Sequence, residues 1–427
     1  MTQQQNQVHR LAEHLFRREA GRIVSTLTRV FGIGRIELAE DVVQEALLKA
    51  LQQWPYGRIP ENPSAWLMQV AKNHALDILR REQNFRSKEG QLTEASEQGR
   101  STEAHATLFL DDEIHNDQLR MMFACCHPAL SQESQVSLTL KTLCGFSSAE
   151  IARAFLSNEE TVNKRLVRAK QKLREERVKF ELPSGQELTA RLETVLQVLY
   201  LLFNEGYNAS HGDELVRRAV SDEAIYLTRI LTEHPVGQMP MAHALLALML
   251  LHAARFPARL DDHGNLLLLK NQDRSLWDKK LIAEGLAYLD RSAGGEQITE
   301  YHLQAGIAAC HCLAPSYEAT DWRRILMLYD MLVQANDSPI VLLNRAVALS
   351  RAEGAEAGIA ALETIRNNKR LDSYYLLYAV LGELCFELRR YEEAARHFRR
   401  ALELTNVRSE QAFFTKKLED LSNISLN

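Results

Sequence analysis

Residues 145–174 read GFSSAEIARAFLSNEETVNKRLVRAKQKLR, and the two apolar periods inside this stretch decide the fold. Ser147 or Ser148 can cap a first helix whose apolar residues are Ile151, Ala152 and Phe155. A turn at Leu156 and Ser157 follows, and Ser157 or Asn158 can cap a second helix. Two short helices joined by a tight turn make a helix-turn-helix. On a 100° wheel Val162, Leu166, Ala169 and Leu173 share the face that must pack inward. Lys164, Val167, Arg168 and Gln171 share the opposite face, with Thr161 and Asn163 at its edges. A helix anchored on one side and basic on the other suits the DNA major groove, where side chains reach base edges and phosphates. Charge alone would equally suit a solvated face. The capped first helix and the short turn favour DNA.

Outward from this segment, the charge is divided. The chain has 427 residues and a formal net charge of -5. Positions 1–81 hold 11 basic and 8 acidic side chains, 82–118 hold 3 and 9, and 140–180 hold 10 and 5. Affinity for nucleic acid therefore belongs to the first 180 or so residues, and the chain from 184 onward is acidic again. Nearly every periodic segment shows the helical period, so the fold class is all-α. The length suits two to four domains.

Residues 86–105, RSKEGQLTEASEQGRSTEAH, are polar and poor in large apolar groups, as a flexible linker is. Pro183, Ser184 and Gly185 punctuate the chain again, and apolar segments such as LETVLQVLYLLFNEGY and PMAHALLALMLLHAARF follow as a packed helical layer. In the last ninety residues Tyr378, Leu381, Gly382, Ala394, Phe398 and Ala401 fall at tetratricopeptide positions. A degenerate copy 34 residues earlier places Ala348 for Gly382, Ala360 for Ala394 and Thr364 for Phe398. Stacked helices of this kind offer a concave protein-binding surface.

Two further constellations lie near the start. In AEDVVQEALLKAL, residues 39–51, Val42, Val43, Ala46 and Ala50 form the buried side. Asp41, Gln44, Glu45 and Leu48 line up opposite. A leucine exposed among carboxylates suits a protein contact better than water. In NPSAWLMQVAKNHALDILRRE, residues 62–82, Leu67, Val70, Ala71, His74 and Ile78 face inward, while Trp66, Asn73, Asp77 and Arg80 run along one edge. An aromatic, an amide and an arginine on one edge suit opened or single-stranded DNA; a structural role for Trp66 is the competing reading.

No catalytic constellation is evident: His74, His127 and His211 lack a nucleophile at a recognisable spacing. Cys125, Cys126 and His127, and Cys310, His311 and Cys312, are too closely spaced to converge on one zinc ion, so they read as buried thiols; neither a metal nor a cofactor is expected. No apolar run approaches the roughly 18 residues that span a bilayer, and the start MTQQQNQVHRLAEHL lacks the apolar core of a signal peptide. A cytoplasmic protein without membrane contact is expected.

The order AEDVVQEALLKAL, AWLMQVAKNHALDILRR, acidic linker, then GFSSAEIARAFLSNEETVNKRLVRAKQKLR resembles the extracytoplasmic-function group of bacterial RNA polymerase sigma factors. The resemblance covers residues 1 to about 182. It implies a region 2 domain at 1–84, an acidic linker at 85–118 and a region 4 helix-turn-helix domain at 119–182. It implies that Asp41, Gln44, Glu45 and Leu48 bind the clamp of core RNA polymerase. Trp66, Asn73, Asp77, Arg80 and Arg81 would read and melt the promoter -10 element, and Thr161, Asn163, Lys164, Arg165, Val167 and Arg168 would read the -35 element. The remainder, with LYLLFNEGYNAS, IAEG and the segment around DDHGNLLLLKNQDRSLWD, resembles the subgroup with a long extension. That places a helical domain at 183–334 and tetratricopeptide-like repeats at 335–427, taking a regulatory protein or ligand in place of a separate anti-sigma protein. The linker carboxylates would then occupy a basic path of the polymerase that otherwise holds nucleic acid. A conventional operator-binding regulator with a helical sensing domain is the alternative reading of the same residues.

Overall fold

The computed structural model describes all residues except 1–2, 55–58, 90–110, 156, 208–213, 260, 262–266, 296, 366–370, 372–373, 406–407 and 426–427. Among the described residues every regular element is a helix. The chain divides into two compact units, Met1–Leu231 and Thr232–Asn427.

The first unit opens with α1 (Gln3–Phe31), α2 (Ile36–Gln53) and α3 (Pro63–Glu89). Ile23, Leu27, Ile36, Val42, Val43, Ala46, Ala50, Leu67, Ala71 and Ala75 are withdrawn from water and make their common core. The inward face of α3 is narrower than expected, because Val70, His74 and Ile78 stay half-buried and Ala75 is the buried residue of that turn. Arg35, just before α2, holds Glu82 near the end of α3 through two guanidinium contacts, one at 3.0 Å, and these raise the guanidinium pKa.

Helices α4 (Asp111–Cys125), α5 (Gln132–Thr142), α6 (Ser148–Ala154) and α7 (Glu159–Glu175) follow. The expected linker at 85–118 is therefore shorter: α3 continues to Glu89 and α4 starts at Asp111, leaving 90–110, which lie outside the described residues. The physical reason is that residues at both ends are anchored. Glu82 is bound to Arg35, and the fully buried Asp117 carboxylate receives Arg29 at 2.9 Å and Arg120 at 2.8 Å. Burial pushes the Asp117 carboxyl up to about 6 although both guanidinium groups pull it down. Cys125 and Cys126 are buried, with the Cys125 thiol 3.1 Å from the Thr142 hydroxyl and pushed up to about 12 by burial.

The unit closes with α8 (Gln186–Tyr207) and α9 (Glu214–Glu233). Pro183 is thus not a domain boundary: Arg191 on α8 donates to the Phe123 carbonyl at 2.6 Å, and Arg18 on α1 lies 3.5 Å from Glu223 and over the Tyr226 ring on α9.

In the second unit α10 (Pro240–Ala253) is apolar on every side and packs against α11 (Lys279–Ser292) and α12 (Glu300–Leu313). Residues 240–258 have a mean hydropathy of 1.3 over a span long enough to cross a bilayer, which corrects the expectation that no such run exists; two thirds of the span is buried inside the protein, as in a core helix. The approach of α11 is close at Gly285, where a Cβ would sit 2.9 Å from Leu251.

The remaining helices are α13 (Trp322–Ala335), α14 (Pro339–Glu353), α15 (Ala355–Ile365), α16 (Tyr375–Glu387), α17 (Tyr391–Leu404) and α18 (Arg408–Ser425). The pairs α14–α15 and α16–α17 are successive hairpins whose starts, Pro339 and Tyr375, and Ala355 and Tyr391, are 36 positions apart. The expected offset of 34 is therefore wrong by two residues. Ala360 and Thr364 are exposed, and Gly358 and Leu362 occupy the buried places that Ala394 and Phe398 hold in the later hairpin. Both hairpins close on a glycine: a Cβ on Gly358 would lie 2.5 Å from Ser350 and one on Gly382 2.6 Å from the Phe398 ring. Because Phe398 is fully buried, Gly382→Val is expected to destabilise the second unit by about 1–3 kcal/mol through overpacking. Urea unfolding followed by circular dichroism measures this, and an unchanged midpoint would mean the contact is slack.

Candidate nucleic-acid interface

The helix-turn-helix is built by its caps. Ser147 accepts from the Glu150 amide while the Glu150 carboxylate accepts from the Ser147 amide at 2.8 Å, a capping box that starts α6. Asn158, not Ser157, caps α7, accepting from the Thr161 amide at 2.8 Å. Val162, Leu166, Ala169 and Leu173 are buried against the rest of the four-helix module. The opposite face is open: Thr161, Asn163, Lys164, Val167 and Arg168 are all exposed, and Val167 is 61% exposed despite being apolar. Glu159, Glu160, Asn163, Lys164, Val167 and Arg168 line one shallow surface groove. Lys164 pairs with Glu160 at 2.6 Å in an exposed contact.

Arg165 does not stand on that face. It is half-buried, and its guanidinium donates to the Ser137 hydroxyl of α5 at 3.4 Å. Lys170 is also turned inward, to 8% exposure, and binds Glu40 of α2 at 2.6 Å. The wheel explains both, because residues 165 and 170 flank the buried stripe of Leu166, Ala169 and Leu173. Of the basic cluster in 159–175, Lys164 and Arg168 are the cations that the geometry leaves on the open face.

On α2 the expected ridge is present. Asp41, Gln44, Glu45 and Leu48 are exposed along one side, Leu48 by 55%, while Val42, Val43, Ala46 and Ala50 are buried. Glu45 lies 3.2 Å from the His74 ring, so the ridge is tied to α3 directly. Along α3, Asn73, Asp77, Arg80 and Arg81 are exposed, with Gln69 donating to Asn73 at 2.8 Å and Arg80 3.7 Å from Asp77. Trp66 is half-buried, edge-on to Trp54 at 5.6 Å, and Trp54 in turn meets Phe16 at 5.3 Å. It has a structural contact and an open side together. Trp54 was missed in the sequence because it lies beyond the helical period of α2.

Residues 15–85 match the sigma-70 region 2 family and residues 120–173 the sigma-70 region 4 family; residues 191–293 match a family of unknown function, DUF6596. An extracytoplasmic-function RNA polymerase sigma factor, SigL of Mycobacterium tuberculosis, is 34% identical over 137 residues, covering 32% of this chain and 72% of SigL. This chain belongs to the extracytoplasmic-function sigma factors. An uncharacterised protein of Rhizobium meliloti, R00370, is 38% identical to this sigma factor over 389 residues, covering 91% of this chain and 90% of that protein. Region 2 thus coincides with α1–α3 and region 4 with α4–α7. A sigma factor is an initiation factor and not an enzyme, and its partners are core RNA polymerase and promoter DNA. Among the described residues no group of three histidine, cysteine, aspartate or glutamate side chains could hold a metal ion.

Proposed function

We propose that this sigma factor docks on the clamp of core RNA polymerase through Asp41, Gln44, Glu45 and Leu48. Trp66, Asn73, Asp77, Arg80 and Arg81 engage the -10 element, and Thr161, Asn163, Lys164, Val167 and Arg168 engage the -35 element. Arg165 contributes from the flank, through its charge and its hold on Ser137. The observation that carries this reading is the pair of faces held outward on helices whose opposite sides are buried, one acidic with an exposed leucine and one basic. An exposed Leu48 has no use in a regulator that binds an operator alone.

The extension, with the α14–α15 and α16–α17 hairpins, acts as a regulatory module that takes a protein or ligand, and the protein works in the cytoplasm, where polymerase and promoters are. The test is reconstitution. Full-length protein added to core polymerase is expected to give initiation at defined genomic promoters; operator binding without any initiation would replace this reading with the regulator.

A further inference from the structure

We propose that the second unit holds a binding site for a small aromatic carboxylate, in the cavity between α13, α14 and α16; this rests on the regulatory role of the extension proposed above and gives its ligand a chemical class. The cavity measures about 280 Å³ and is partly open to solvent. Its apolar walls are Trp322, Ile325 and Tyr329 of α13, Val347 of α14, Leu376 of α16 and Phe413 of α18. Tyr317, in the turn before α13, also lines it and meets the Trp322 ring edge-on at 5.1 Å, and the His311 ring of α12 meets the same ring at 5.3 Å. Aromatic walls with a few polar groups among them are the usual form of a small-molecule site.

The polar groups choose the charge of the ligand. An aromatic box with an excess of carboxylates would take a cation. Here the excess has the other sign. Glu383 on the cavity wall is already held by two ammonium groups, Lys270 at 2.9 Å and Lys417 at 2.5 Å. Arg351 also lines the cavity. Its guanidinium binds Glu387 at 3.0 and 2.7 Å, while its buried Nε–H has no hydrogen-bond partner. Beside His311 stand Arg255 and Arg274, over the Trp277 ring at 5.5 and 4.6 Å from its centroid. Arg274 donates to the His311 and Ala314 carbonyls at 2.6 and 2.8 Å, and Arg255 to Gln272 at 3.4 Å. Among the described residues neither arginine has a carboxylate at ion-pair distance, and the exposed Glu318 acts on Arg274 through its field alone.

The cations around the cavity thus outnumber its carboxylates. Burial, with Arg255 and Arg274 beside it, pushes the His311 imidazole down to about 3 and keeps it neutral, and its buried Nδ1 has no hydrogen-bond partner either. Buried polar atoms are almost always satisfied, so two left open on residues of one cavity point to a group that supplies acceptors. A carboxylate brings two acceptor oxygens, which suit the Arg351 Nε–H and the His311 tautomer with its proton on Nδ1.

A long ligand is excluded by the chain itself. Stacked helical hairpins commonly present an extended groove. Here the stretch from Leu268 to Arg274 bridges α16 to α12 along the cavity: Leu268 and Leu269 line it, Lys270 is held by Glu383, and Arg274 is held by the carbonyls at the end of α12 and just beyond. The groove is thereby shortened to a pocket.

Equilibrium dialysis of the full-length protein with 2-naphthoate and 3-phenylpropionate, each against its own amide, tests the site. Both acids are expected to bind with dissociation constants below about 5 mM, and each amide at least about tenfold more weakly. Val347→Trp fills the cavity from a half-buried position and Arg351→Met removes the guanidinium; each should weaken the acids at least about tenfold. Should either variant fail to fold by circular dichroism, the other decides, and the comparison of acid with amide needs no variant. Absence of binding, equal affinity for acid and amide, or unchanged affinity in both variants overturns the site. Displacement of 2-naphthoate by an equal concentration of an acidic nonapeptide overturns it in favour of a protein segment. Saturating 2-naphthoate should also change promoter initiation at least about twofold in the wild type and not in Val347→Trp. Binding without that change strikes the regulatory reading and leaves the site standing, since dialysis needs no polymerase.

Discussion

Leu48→Arg is expected to weaken binding to core polymerase at least about a hundredfold while leaving the unfolding midpoint unchanged. The side chain is 55% exposed on α2, so its loss removes no core contact, and exposed substitutions of this kind shift stability by less than about 0.5 kcal/mol. At an interface the same side chain is the apolar centre of an acidic ridge, the type of residue whose truncation costs about 2 kcal/mol or more. Arginine adds a buried, unpaired charge to that loss, which carries the total past the roughly 2.8 kcal/mol that a hundredfold requires. Titration of labelled protein against core polymerase measures it. An unchanged dissociation constant would remove Leu48 from the interface and leave the acidic side chains as solvated groups.

The second large effect is expected at Arg168. It is exposed in the centre of the α7 reading face, and its fork can pair with the two acceptors of a guanine. Arg168→Ala should cost about 1–3 kcal/mol of promoter affinity, roughly fivefold to 150-fold, with selectivity relaxed at one -35 position. Lys164→Ala should behave differently. Its ammonium is held by Glu160 at 2.6 Å and offers a point charge, so binding should fall weakly and about evenly across sequences, with a shallower salt dependence. Binding measured on a panel of single-base promoter variants separates the two patterns. A uniform loss for Arg168→Ala would make it a phosphate contact, and no loss on any sequence would place it in solvent.

The all-α class, the helix-turn-helix and the faces of α2 and α7 were legible in the sequence, because each is set by a local period and a local cap. Val162, Leu166, Ala169 and Leu173 are buried together as their spacing requires, and Leu48 stands out among carboxylates as the wheel places it. Tertiary contacts were not legible. The wheel puts Lys170 beside the buried stripe and Arg168 opposite it, but nothing local names the partner that seals Lys170, Glu40, 130 positions away. Asp117 counted as one carboxylate of an acidic linker until the fold surrounded it with Arg29 and Arg120. The repeat offset was misread by two because small residues recur often enough in helices to align at 34; Gly382 was legible as a touching glycine, whereas the contact at Gly358 appears only when the helices are packed.

The aromatic contact between Trp54 and Trp66 gives the molecule an optical gauge of its own. The chain has four tryptophans, and Trp277 and Trp322 belong to the second unit. Emission from the pair therefore reports on region 2 against a background of two, and an indole drawn from its neighbour toward an unstacked base changes both its quenching and its polarity. On the proposed engagement of Trp66 with the -10 element, stopped-flow fluorescence of the unlabelled protein times the opening of promoter DNA, with Trp54→Phe separating the signals of the two indoles.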